Sequence, residues 1–243
     1  MINFSSLKHM ALSPAHYRLA CDTPFEPTRA MRIGSATHRL VLGDGPGKRI
    51  VRYDGDRRGK AWQDFAAAHA DADILTASEW DEAERIAQAV HRSAAARQLL
   101  DGARYEVPLR WTMAGLECQT GGVDVLGTGY LADLKTCATT EPRALMRDVV
   151  QRQYHAQLAF YRAGARANGH TVAACYLVCV ESSAPHCVVV LRISDALLDA
   201  GERACHLWLE RVKACQESDT WPGYTEAVLD LDAPPWMSPE ADA

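Results

Sequence analysis

Asp124 is followed, nine residues on, by Asp133-Leu134-Lys135, with Gly127-Thr128-Gly129 between them. The runs 122–126 and 130–136 are rich in strand-favouring residues, and the Gly-rich stretch between them is a turn signal. Together they predict a β-hairpin. Side chains alternate along a strand, so Asp133 and Lys135 share a face, and Asp124 sits opposite them on the partner strand. Two carboxylates and an ammonium around one point suit metal-assisted phosphodiester hydrolysis. They equally suit an ordinary hairpin with an exposed Asp–Lys pair, and the hairpin alone leaves both readings open.

Other residues could join such a point. Tyr154, Gln157 and Tyr161 fall at helical spacing and share one face of a helix predicted over 152–168. Aromatic stripes of this kind also serve as plain core. His38 closes a Gly34-x-x-x-His38 run on an apolar helix, where a histidine is either a ligand or a satisfied core residue. Glu106 opens the strand before the hairpin and could add a third carboxylate or simply face solvent. Arg57, Arg58 and Lys60 form a compact basic loop that could grip phosphates or stay solvated. Lys8 and His9 could assist.

The elements that must position these residues follow from periodicity. Short helices are expected over 5–10 and 14–20, the second opened by Ser13-Pro14. Further helices are expected over 30–42, 60–70 and 78–99, with Ser78 as N-cap of the last. A short strand is expected near 49–53. Period-two patterning then gives strands at 104–112, 115–126 and 129–136. Helices follow at 141–150 and 152–168, the latter stopped by Asn168-Gly169. Val- and Cys-rich strands at 172–181 and 186–193 should lie centrally, before a final helix at 195–217. The sum is an α/β fold with a mixed central sheet flanked by helices.

The bulk numbers fit one domain spanning 1–243: a helical part to about 100, a sheet core over 101–218 and a polar tail over 219–243 that frays after Pro234-Pro235. With 48% hydrophobic and 23% charged residues the chain is of globular type. No run reaches the length of a membrane span, and the start lacks a signal-peptide pattern, so a cytoplasmic protein is expected. The eight cysteines form no CxxC pair and are expected as reduced thiols; Cys175, Cys179 and Cys187 are the nearest to a metal cluster. The net charge of −5 disfavours general coating of nucleic acid and confines any such contact to a local groove. A glycine-rich phosphate loop, a GxSxG elbow and an HExxH motif are all missing, which ranks small-molecule hydrolysis last.

Taken in order, Ser6-Leu7-Lys8, Ser13-Pro14-Ala15-His16-Tyr17, Gly34-Ser35-Ala36-Thr37-His38, Arg57-Arg58-Gly59-Lys60-Ala61-Trp62, Gly122-Val123-Asp124, Asp133-Leu134-Lys135-Thr136 and Tyr154 to Tyr161 resemble the PD-(D/E)xK nuclease superfamily. Within it the chain looks most like exonuclease VIII-type recombination nucleases of phage type. It is related more distantly to the RecB nuclease domain and lambda-type exonuclease. The resemblance spans nearly the whole chain and implies a restriction-endonuclease-like core. It implies that His38, Asp124, Asp133 and the Leu134 carbonyl hold Mg²⁺, with Mn²⁺ as a substitute, and that Glu106 could be a further ligand. Lys135, Gln157 and Tyr161 join Asp124 and Asp133 as catalytic residues. Arg57, Arg58, Lys60 and Tyr154 become DNA contacts.

The implied activity is hydrolysis of linear double-stranded DNA, 5′ to 3′, by a homo-oligomeric ring working with a single-strand annealing protein. Two departures stand out. Gly122 replaces the basic residue that relatives often carry two positions before the first aspartate, and Asp133 replaces the commoner glutamate. Two rival readings remain. One is a structure-specific or nicking endonuclease on the same core, and the other is a catalytically silent DNA-binding or anti-restriction module.

Overall fold

A computed structural model describes residues 1–24, 26–43, 45 and 49–233. The segment after Pro234, expected to fray, lies outside the described residues. The N-terminal helices are α1 (Phe4–Leu7), continued by a 3₁₀ turn over Lys8–Ala11, α2 (Pro14–Asp22) and α3 (Arg29–Leu42). Ser13 caps α2 by accepting the His16 N–H, and Thr28 caps α3 by accepting that of Met31. A small lobe follows: β1 (Arg49–Tyr53), α4 (Gly59–Ala68) and β2 (Ala72–Thr76). Then come α5 (Ala77–Arg92) and α6 (Ala94–Leu100), the strands β3 (Arg104–Met113), β4 (Leu116–Gly127) and β5 (Gly129–Cys137), the helices α7 (Pro142–Gln151) and α8 (Tyr154–Ala167), the strands β6 (Val172–Glu181) and β7 (Val188–Ile193), and α9 (Asp195–Ser218).

The main sheet runs β3-β4-β5-β6-β7 and is antiparallel throughout except for the parallel β5–β6 pair. Parallel neighbours need a crossover, and α7 with α8 supplies it. Alternation along the strands feeds two cores. Leu131 and Leu177 face Phe4, Leu7, Phe160, Leu198 and Leu209 on one side. Ala132, Leu134, Val178 and Val180 face Ile33, Ala36, Ile86, Val90 and Leu99 on the other. The expected α/β fold with a helix-flanked mixed sheet is therefore the observed one. No helix among the described residues is long and apolar enough to cross a membrane.

Four local expectations are corrected. Strand β6 lies inside the sheet as expected, but β7, expected to be central as well, is its edge strand. The helix predicted over 78–99 breaks at Ser93, which is extended; its backbone N–H donates to the Ala89 and Val90 carbonyls and ends α5, while its hydroxyl accepts the Ala96 N–H and starts α6. The N-cap of α5 is Thr76 rather than Ser78, because Thr76 and Glu79 form a reciprocal capping box. Strand β2, absent from the sequence reading, pairs in parallel with β1 around α4. That lobe packs its own aromatic residues, Tyr53 against Trp62 and Phe65.

Candidate active site

The predicted hairpin is present, turning at Gly129 with φ +84°. Its strands pair only from Val125–Ala132 to Gly127–Tyr130. Beyond Val125 they part, and the Asp124 carboxylate bridges the opening, Oδ2 accepting the Leu134 N–H at 2.7 Å. The hairpin thus becomes a cleft whose two lips carry Asp124 and Asp133-Leu134-Lys135.

Helix α3 closes one side. A Cβ on Gly34 would lie 3.1 Å from Thr136 Oγ1, so glycine lets the helix lie close on β5. One turn later His38 Nδ1 stands 3.5 Å from Asp124 Oδ2. The spacing of Gly34 and His38 therefore has a mechanical basis: the first residue sets the approach that places the second.

Glu106 completes this side by an unusual route. It is a non-glycine residue in the left-handed region, φ 49°, beside the register shift between Val107 and Leu109 of β3. Its side chain threads between two glycines. A Cβ on Gly45 would overlap Glu106 Cγ, and one on Gly122 would come within 2.5 Å of Oε2. Ligand atoms of His38, Glu106 and Asp124 lie within 4.8 Å of one another, a group that could hold a metal ion. Asp133 is outside this trio. It is buried, 2% exposed, and its Oδ2 meets Lys135 Nζ at 2.6 Å.

The electrostatics match this layout. Burial, Asp124 and Asp133 push the Glu106 carboxyl up against the pull of His38 and Arg39. Burial also raises Asp133, to about 6, although Lys135 pulls it down; Asp124 adds to the rise. Burial works against the Lys135 ammonium, but Asp133 and Asp124 outweigh it and hold the lysine charged. Among the described residues three carboxylates crowd this point beside the Lys135 ammonium, His38 and Arg39, and a divalent cation is a chemical species that fits the donor set.

Helix α8 lines the other side, with Tyr154, Gln157 and Tyr161 on one face. Gln157 Nε2 donates to the Tyr161 hydroxyl at 3.0 Å, and the Lys135 ammonium lies over the Tyr154 ring, 5.1 Å from its centroid. Burial raises the Tyr161 hydroxyl, with Asp133 adding to the effect. Lys8 is near enough for Lys135 and Arg152, after burial, to lower its ammonium. Arg152 had no part in the sequence reading.

The basic loop is placed differently. Arg57 is engaged by the fold: it lies over Trp62, pairs with buried Glu79 at 3.4 Å and donates to the Ile74 carbonyl. Arg58 is exposed and pairs with Asp56, and Lys60 is exposed. Gly45 and the role of Gly122 were missed from sequence. Only the tertiary path of Glu106 reveals them. The eight cysteines are free thiols, and none belongs to a metal-competent group among the described residues.

Fold and cleft together define a PD-(D/E)xK-like domain, with the acid of one hairpin strand facing the acid-x-lysine of the other. The chain belongs to the family described as PDDEXK-like domain of unknown function (DUF3799), whose model matches residues 3–231. Among solved structures it is similar to a candidate exonuclease from Eubacterium rectale. That likeness has TM-score 0.65 and 13% identity, covers 96% of this chain and 90% of the other, and speaks to the fold. The alkaline exonuclease LHK-Exo from Laribacter hongkongensis matches at TM-score 0.35, with 15% identity over 78% of this chain and 93% of its own. Its complex with dAMP matches at 0.32, with 18% identity over the same shares. No protein of curated description matches.

Proposed function

We propose that this protein is a divalent-metal-dependent DNA exonuclease acting on linear double-stranded DNA, with 5′ to 3′ polarity. The observation that carries the reading is the cleft itself. His38, Glu106 and Asp124 converge on one side of it, and the Asp133–Lys135 pair faces them.

His38, Glu106 and Asp124 would hold the cation, together with the Leu134 carbonyl and Asp133. A strand residue points its N–H and C=O to the same side, and the Leu134 N–H already points at Asp124, so its carbonyl opens onto the cleft. A nitrogen beside oxygens suits Mn²⁺ as well as Mg²⁺. Once bound, such a cation supplies an activated water and offsets charge on the phosphate. Asp133 orients the Lys135 ammonium, which donates hydrogen bonds to the non-bridging phosphate oxygens as their charge grows. Gln157, whose Nε2 donates to the Tyr161 hydroxyl, would position the attacking water or the scissile phosphate. Arg58, Lys60, Lys8 and Arg152 provide positive charge for the flanking backbone on an otherwise acidic protein. A ring of copies and an annealing partner belong to the same reading by resemblance.

Linear and covalently closed circular duplex, incubated with Mg²⁺ or Mn²⁺, test it. The expected result is degradation of the linear form only, lost in Asp124→Ala and Lys135→Ala. Parental rates in both variants would remove this mechanism. Cleavage of closed circles would make the protein an endonuclease, and inert parental protein would leave the binding module.

A further inference from the structure

The resemblance made Tyr154 a DNA contact, but the geometry gives its ring another partner. The Lys135 ammonium sits over the ring face at 5.1 Å from the centroid, while Asp133 Oδ2 pairs with it at 2.6 Å. The ring is half-buried and packed against the main core, so it is a fixed surface. The chain also bends sharply to deliver it. Gln153, the residue before, is left-handed at φ 61°, ψ 30°, and caps α8 with no side-chain hydrogen bond. A non-glycine residue in that region costs about 1–2 kcal/mol, and such strain gathers at working sites. The bend puts Tyr154 at the first position of α8, one turn ahead of Gln157 and two ahead of Tyr161.

We propose that Tyr154 is a positioning residue for Lys135. Its ring face and the Asp133 carboxylate hold the ammonium from two directions. Its remaining N–H groups then point into the cleft, and the ammonium does not swing onto Asp124. Lysine has a flexible four-carbon stem and behaves as a point charge, so one ion pair leaves its direction loose; a ring face fixes it. The ring needs only its π face for this, and the phenol oxygen is dispensable. The inference rests on the nuclease reading for its kinetic consequence but not for its structural one.

Two measurements separate these. The first replaces Tyr154 with Phe, Leu and a series of increasingly fluorinated phenylalanines. Fluorination withdraws the negative face while keeping shape. Tyr154→Phe should retain kcat within twofold. Tyr154→Leu should lower kcat by about 2- to 30-fold, the span a cation–π contact covers. The fluorinated series should fall stepwise between them, with KM unchanged. A kcat indifferent to fluorination overturns the proposal, and so does a rise in KM at constant kcat, which would mark a ring that stacks on a nucleobase. The second follows the side-chain resonance of Lys135 in protein carrying ¹³Cε-lysine, identified through Lys135→Arg. Ring current should shift it upfield in the parental protein and in Tyr154→Phe, and Tyr154→Leu should release it. If the protein cleaves no DNA yet Lys135 is ring-shifted, the nuclease reading fails and the placement stands. A Lys135 resonance at the ordinary lysine position ends the placement whatever the activity.

Discussion

Gly122 occupies the position where relatives often carry a basic residue, and the structure gives a reason that can be tested by Gly122→Ala. A Cβ there would lie 2.5 Å from Glu106 Oε2, 3.0 Å from its Cα and 3.1 Å from its carbonyl carbon. The carboxylate tip can rotate away. The backbone has less freedom, because Glu106 lies between the Tyr105–Val125 and Val107–Val123 pairs and is already left-handed. Relief therefore comes chiefly by moving the carboxylate off His38 and Asp124. Overpacking of this kind costs about 1–3 kcal/mol, which in a domain of this size lowers the thermal midpoint by about 2–12 °C. Losing even an outer partner of a metal ligand typically weakens the metal about 10- to 100-fold, or about 1.4–2.8 kcal/mol, so displacing Glu106 itself should cost at least that. Calorimetric titration with Mn²⁺ reads the second effect, and melting in chelator reads the first. Gly122→Arg should be worse than alanine and restore nothing. If Gly122→Ala binds Mn²⁺ with parental affinity, Glu106 is not part of the metal site.

Three further outcomes are expected. Glu106→Asn removes a crowded charge and places a residue that tolerates the left-handed region; melting in chelator should rise by about 2–4 °C while the stabilisation by Mn²⁺ shrinks, and a lower midpoint would contradict the strain argument. Burial would raise Glu79, but the Thr76 hydrogen bonds and the guanidinium groups of Arg57 and Arg32 win and hold it below 4.5, so its stabilising contribution is full above that value and fades as pH falls. Glu79→Gln should therefore melt lower at pH 7, with the gap closing below 4.5; a constant gap would show that the charge plays no part. Arg58→Glu with Lys60→Glu should raise KM for DNA, leave kcat alone and reduce the slope of log affinity against log salt by about 1 per lost phosphate contact. Unchanged binding at every salt concentration would take the loop out of the DNA path.

Much of the site was legible because it is local. The hairpin announces itself by its Gly-rich turn, and the Gly34/His38 and Gln157/Tyr161 pairs are set by helical spacing alone. Glu106 was legible only as a candidate acid. Its place depends on a left-handed residue in the middle of a strand and on Gly45 and Gly122, which lie far from it in sequence. Arg57 read as a phosphate contact because its partners, Ile74 and Glu79, lie on and just after a strand that periodicity did not show. That strand, Ala72–Thr76, is five residues long and sits directly against a helix, so no period had room to develop. The break at Ser93 was hidden for the opposite reason. The helical pattern continues on both sides, and a single extended residue interrupts it.

The geometry of the cleft is costly without a cation, and the costs point the same way. Glu106 is strained and its carboxyl raised, Asp133 is raised by burial, and both crowd Asp124, with the Lys135 ammonium paired to Asp133. An ordinary surface hairpin with a salt bridge has no need of any of this: its acids would sit in water at their usual values, and its glycines would be free to carry side chains. Two glycines are instead spent on admitting one glutamate, a third on bringing His38 to Asp124, and a left-handed glutamine on bringing Tyr154 to Lys135. Arrangements that lower stability at several separate points and converge on one small volume favour the proposal that this volume binds something. The salt-bridge alternative, still open from the hairpin residues alone, accounts for the Asp133–Lys135 contact and for nothing else in the cleft.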